Sequence, residues 1–216
     1  MKALLLLALV AGAAHAADMV RLDYEDQEPG AAPYPTRILV TRDFLRMDDG
    51  DDGGDFVLLD RKRHAVVNVL RSAGVAMVFR RGRVPQPPPR WKAVKAVTPV
   101  AGGSRVRVRV GGVECSDVTT ARGVFPDAVA ALRELKTVLA ERQYATWQAT
   151  PPELQHDCDL ANQVWEFAAA LRYGLPVSER DFSGRTRRLR AHATLPQATS
   201  LFAVPADVVV RDAPPL

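Results

Sequence analysis

Six aspartates and three glycines fall between Arg46 and Asp60, in the stretch RMDDGDDGGDFVLLD. Carboxylates at that density could hold a calcium ion. Counted as an EF-hand loop from Asp49, ligand positions 1, 3 and 7 fall on Asp49, Asp51 and Asp55, position 6 on Gly54 and position 12 on Asp60. Position 5, where an oxygen ligand belongs, is Gly53, and position 12 carries the shorter Asp where a Glu normally reaches the ion. The motif also needs a helix on each side, and both flanks read as strands. Asp-Gly and Gly-Gly pairs between strands serve a hairpin, because Gly and Asp supply the positive φ that tight turns require. The stretch is therefore predicted to be a turn, with Asp49, Asp51 and Asp55 as a weak metal candidate.

Arginine supplies the second kind of chemistry. It gathers at FRRGR (Phe79 to Arg83), RVRVRV (Arg105 to Val110) and RTRRLR (Arg185 to Arg190). In RVRVRV, strand alternation points Arg105, Arg107 and Arg109 to one face and Val106, Val108 and Val110 to the other. These three arginines, with Arg185, Arg187 and Arg188, are the candidate anion-binding residues, weighed against a solvated face or a charged edge strand. The net charge is +4, or +3 once Lys2 is removed with the leader, so lipid headgroups and other envelope polyanions are possible partners.

Nucleophilic and acid/base chemistry has little support. His64, His156 and His192 read as surface or structural residues, and there is no HExxH, GxSxG or phosphate-cradling glycine loop. Glu179 and Asp181 flank a turn and read as solvated carboxylates. No catalytic residue and no cofactor is assigned. Cys115 and Cys158 are the only cysteines. Their wide spacing and the few histidines argue against a metal site and for one disulfide, which in the chain-entropy model stabilises by about 4 kcal/mol.

The elements that must position these residues are legible from the N-terminus onward. MKALLLLALVAGAAHA has one Lys, a short apolar run and the small residues of Ala14-His15-Ala16, the pattern of a signal peptide cut after Ala16. No later stretch approaches the about 20 apolar residues of a membrane span, and no cysteine stands at the cleavage point to take a lipid. The chain is expected to be periplasmic or secreted, which argues against nucleic acid as a partner and favours disulfide formation.

Residues 17–216 are expected to form one domain. Short strands are predicted over Met19 to Asp26, Thr36 to Asp48, Asp55 to Leu70 with a turn near Asp60 to Arg63, and Gly74 to Arg80. The proline-rich VPQPPPRW (Val84 to Trp91) lacks amide donors and serves as a stiff connection. Sheet resumes through WKAVKAVTPV and SRVRVRVGGVECSDVTTA. The period then becomes helical. Val129, Leu132, Leu135, Val138 and Leu139 form one stripe of a helix over about 126–148. A second helix over about 152–173 is signalled by Thr150 as cap, Pro in the first turn and Gly174 as stop. A last hairpin turns at Ser183-Gly184, and Leu201, Phe202 and Val204 of the tail are offered for docking.

Laid out in this order, the pieces LRMD, LLDRKRH, GVECSDV, GLPVSERD and LFAVPAD resemble exported bacterial proteins of a domain-of-unknown-function family, similar in organisation to the half-barrel of outer-membrane lipoprotein carriers. That resemblance implies an α+β fold: a strongly curved antiparallel sheet, or half-barrel, with the two helices packed across it before the last hairpin. It also implies a cavity for an acyl chain. The expected function is non-catalytic binding of a lipid-like ligand or an envelope protein partner. Two alternatives stand: surface binding of anionic envelope components through the arginines, and hydrolase activity.

Overall fold

In the computed structural model the described residues are 18–214. The expected signal peptide and its cleavage point after Ala16 lie outside them. The fold is α+β: a single open sheet of twelve strands with a long helix on one face. The strands are β1 (Asp18–Gln27), β2 (Tyr34–Val40), β3 (Phe44–Asp48), β4 (Phe56–Asp60), β5 (Ala65–Leu70) and β6 (Val75–Arg80), then β7 (Ala93–Val100), β8 (Gly103–Val110) and β9 (Val113–Ala121). After the helical segment come β10 (Leu175–Asp181), β11 (Thr186–Pro196) and β12 (Val209–Asp212). Two antiparallel meanders, β1 to β6 and β7 to β11, are joined where β1 pairs with β11, and β12 returns parallel to β6.

The proline-rich connection between the meanders has no regular structure. Trp165 Nε1 donates to Pro85 O (2.9 Å), and the rings of Trp91 and Trp165 meet edge to face with centroids 4.6 Å apart. These contacts hold the connection against the helical segment.

Alternation decides which residues each face receives. On one face Leu22, Ile38, Val40, Leu45, Leu59 and Val66 are buried against helix α1 (Pro126–Ala149), which contributes Ala128, Val129, Ala131, Leu135 and Val138. This is the helix predicted over 126–148. Its N-terminal turns are fixed by Arg61, in the turn between β4 and β5, which donates to Asp127 (2.9 Å) and Glu134 (3.0 Å). On the opposite face Leu39, Phe56, Leu58 and Val69 are covered by the tail, with Phe202 and Val208 buried and Leu201 and Val204 packed beside them. The guanidinium of Arg46 is enclosed there, donating to Asp48 and to Leu201 O (2.8 Å) and lying 4.0 Å from the Phe56 ring centroid.

The second helix departs from expectation. In place of one helix over 152–173 there is a 3₁₀ turn (Pro152–Leu154), a short helix α2 (Asp157–Leu160), a π-helical turn (Ala161–Trp165) and another 3₁₀ turn (Ala170–Arg172). Thr150 terminates α1 instead of capping a new helix, and His156 caps α2 by accepting from Cys158 N (3.1 Å). The physical reason is tertiary. The Cys115–Cys158 disulfide and the amide of Asn162, which donates to Cys115 O (2.8 Å), pin this segment to β9. Local helix propensity, a few tenths of a kcal/mol per residue, does not withstand such ties.

Candidate functional site

The aspartate-rich stretch is the hairpin between β3 and β4, as its glycines predicted. Its carboxylates serve the local backbone. Asp49 accepts from Asp51 N (2.9 Å), Asp51 from Gly53 N (2.8 Å) and Asp55 from Arg71 N (2.7 Å), while Asp52 pairs with Arg37 (2.6 Å). Among the described residues no group of three His, Cys, Asp or Glu is arranged to hold a metal. Asp49, Asp51 and Asp55 are therefore not gathered into a site.

The six arginines divide between the two faces of the sheet. Val106, Val108 and Val110 are buried and the arginines between them face away, as alternation required. Arg105 pairs with Asp117 and Arg109 with Glu114. Arg187 stands opposite Glu179 in register, whereas Arg188 stands opposite Ser178 and points to the other face. Arg185 and Arg187 thus belong together, and Arg188 does not belong with them.

Where Arg185 and Arg187 point, α1 and the helical segment stand off the sheet and leave a cavity of about 410 Å³. Ile38 and Met47 line it from β2 and β3, Val106 and Val118 from β8 and β9, and Leu132 and Leu139 from α1. Phe167 and the amides of Gln143, Asn162 and Gln163 complete it from the helical side. A row of residues directly opposed in register runs Asp26, Arg187, Glu179, Val118 and Val106, and the last four form part of its floor. The polar end of that row meets Lys136 of α1, which also lines the cavity.

The ionic arrangement there is specific. Arg187 donates from Nε and Nη2 to the two oxygens of Asp26 (both 2.7 Å), and Thr36 Oγ1 donates to the same carboxylate (2.6 Å). Arg185 pairs with Glu28 (3.2 Å) and approaches Asp26 (3.7 Å). Burial disfavours the Asp26 carboxylate, but the hydrogen bonds and charge of Arg187, with Thr36 and Arg185, outweigh it and hold its pKa below the usual carboxylate range. Tyr24 lies beneath Arg187 and donates to Pro176 O (2.8 Å), and burial first, then Glu179, push its hydroxyl upward. Lys136 and Glu179 both line the cavity, and neither joins any of the ion pairs among the described residues. Lys136 is exposed to solvent where it borders the cavity. The protein around it disfavours the charged form and pushes its pKa down, Arg187 and Arg185 add to that, and Glu179 acts against it.

Glu179, read from sequence as solvated, is therefore a cavity residue. The register slip between Pro176 and Ser178 resets the strand alternation and hides its direction. Asp181 instead organises the hairpin, accepting from Ser183 N (2.9 Å) and Oγ (2.6 Å). Lys136 leaves only a faint signal in the sequence: it lies four residues after Leu132 and three before Leu139, a cation on the margin of the apolar stripe. The histidines are dispersed. His64 holds a turn at φ 48°, His156 caps α2 and stacks on Phe182, and His192 meets the Phe125 ring edge to face.

No protein-family model matches the chain, and a search of curated proteins found no match. Among solved structures, the chain is similar to two crystal forms of PNGF-II, with TM-scores of 0.45 and 0.41 and 9% identity in each case. The alignments cover 91% of this chain and 31% and 32% of the PNGF-II chains, so the chain spans about a third of their length.

Proposed function

We propose that the protein is a non-catalytic periplasmic binding protein that holds a lipid-like, apolar ligand between α1 and the sheet. The cavity carries this reading. Its volume of about 410 Å³ falls within the roughly 300–1,000 Å³ typical of small-molecule sites. Its walls combine aliphatic side chains from the sheet and α1 with polar and charged groups, the mixed composition of such a site. The half-barrel organisation of the lipoprotein carriers fits this arrangement. β3 and β8 both border the cavity although six strand spacings separate them, about 29 Å in a flat sheet, and a sheet that curls would bring them together. The disulfide suits an oxidising compartment, and no helix among the described residues is long and apolar enough to cross a membrane.

The arginine-surface alternative draws less support. Arg105, Arg109, Arg185 and Arg187 each hold a carboxylate of the chain itself, and Arg107 and Arg188 are left to act without them. Mass spectrometry of organic extracts from protein purified out of its native envelope tests the leading reading. A recurrent apolar or amphipathic species at near-stoichiometric amount is expected. Protein that emerges empty and also fails to take up an added long-chain probe contradicts it.

A further inference from the structure

The charges around the cavity are arranged asymmetrically, and the asymmetry concerns what the ligand carries at its head. Arg185 and Arg187 beside the cavity each have a carboxylate partner, but the pairs do not present both halves to the interior. Asp26 is wholly enclosed, its side chain 0% exposed, while Arg187 remains 22% exposed. The carboxylate lies behind and the guanidinium in front. Both Asp26 oxygens are occupied by Arg187, and Thr36 adds a further bond, so no ligand group can reach them. Arg187 keeps N–H groups that Asp26 does not use. Arg185 stands next to it, 40% exposed.

Opposite these guanidinium groups, Lys136 extends from α1 with no carboxylate of its own. Lys136 is solvent-exposed and has no ion-pair partner among the described residues, and it shares the cavity lining with Arg185 and Arg187, so an anion that enters among the three offsets their mutual repulsion. Glu179 is the one opposing charge of the floor row that is not already engaged by an arginine. A cationic head placed against it would lie among Lys136, Arg185 and Arg187. An anionic head would meet three donors and one unengaged carboxylate, since the other two carboxylates of the lining, Glu166 and Asp181, are held by Lys95 and by the Ser183 and Arg185 amides.

We propose that the cavity takes a single-chain amphiphile with an anionic head, carboxylate or phosphate, whose head is bound by Lys136 with Arg187 and Arg185 and whose tail lies along Leu132, Leu139, Ile38 and Met47. This inference rests on the cavity-binding reading. The size fits one chain: a cavity of about 150 Å³ holds the six carbons of benzene, so this one holds a tail of about 16 carbons at most.

The test is a titration of the purified chain, stripped of lipid, with four probes of identical alkyl length: a carboxylate, a monoalkyl phosphate, an alcohol and a trimethylammonium. Binding is read by displacement of a neutral fluorescent alkyl probe, for the wild type, K136Q and K136R. The carboxylate or phosphate is expected to bind about ten- to a hundredfold tighter than the alcohol, the worth of one charge-assisted contact. K136Q is expected to lower that preference severalfold, with Arg185 and Arg187 supplying the remainder, and K136R to restore most of it. Preference for the phosphate points to a phospholipid-derived head, and preference for the carboxylate to a free fatty acid. Equal affinity for alcohol and anions, or tighter binding of the trimethylammonium, overturns the headgroup assignment but leaves the cavity reading standing. Failure of all four probes to bind overturns the cavity reading itself.

Discussion

Asp26 shows how one side chain joins stability to the site. Its carboxylate is buried and carries Arg187, so replacing it leaves a guanidinium facing Tyr24 with its charge uncompensated. D26N is expected to destabilise by about 3 kcal/mol, the lower end of the range for breaking a buried pair, because Arg187 keeps partial solvent access. Urea denaturation of the two proteins measures it. The pKa values of Asp26 and Asp48 are both depressed in the fold, by arginine hydrogen bonds that overcome the effect of burial. A depressed carboxylate contributes stability that is fully present above its unfolded pKa of about 4 and is lost as pH falls through the lower folded value. Denaturation midpoints are therefore expected to hold from neutral pH to about 5 and to drop steeply below 4, with a shallower drop in D26N. A midpoint that rises on acidification would contradict this.

At the scale of elements, the sequence was most informative where period and packing agree. The alternation of RVRVRV assigned both faces of β8, the apolar stripe placed α1 within a residue or two, and Ser183-Gly184 marked a real hairpin. It was least informative between Pro151 and Gly174. Good local helix signals there compete with a disulfide and an amide bond to β9 that only the folded chain reveals. The disulfide is expected to matter chiefly for this segment. The double variant C115S/C158S should lose about 4 kcal/mol, and hydrogen exchange should show faster opening of residues 157–165 than of α1. Equal protection of the two would show that the bridge does not hold the segment down. Arg61 fastens the other end of the helical layer, and R61A should cost about 1–3 kcal/mol through loss of its bonds to Asp127 and Glu134, as thermal denaturation would report.

For the molecule as a whole, the decisive event is the pairing of β1 with β11. It merges two meanders into one sheet and puts Asp26 beside Arg187, residues 161 apart in sequence. No local pattern encodes that union. This is why the strands are legible one by one in the sequence while the cavity and its ionic end are not. The central claim is that the space between α1 and the sheet is a ligand site, not incomplete packing. A bulky side chain on its helical wall tests it most directly. Native mass spectrometry after incubation with a long-chain alcohol should show a one-to-one adduct with the wild type and none, or nearly none, with the folded variant L139W. An adduct that survives undiminished in L139W, or a wild type that forms none, would contradict the account.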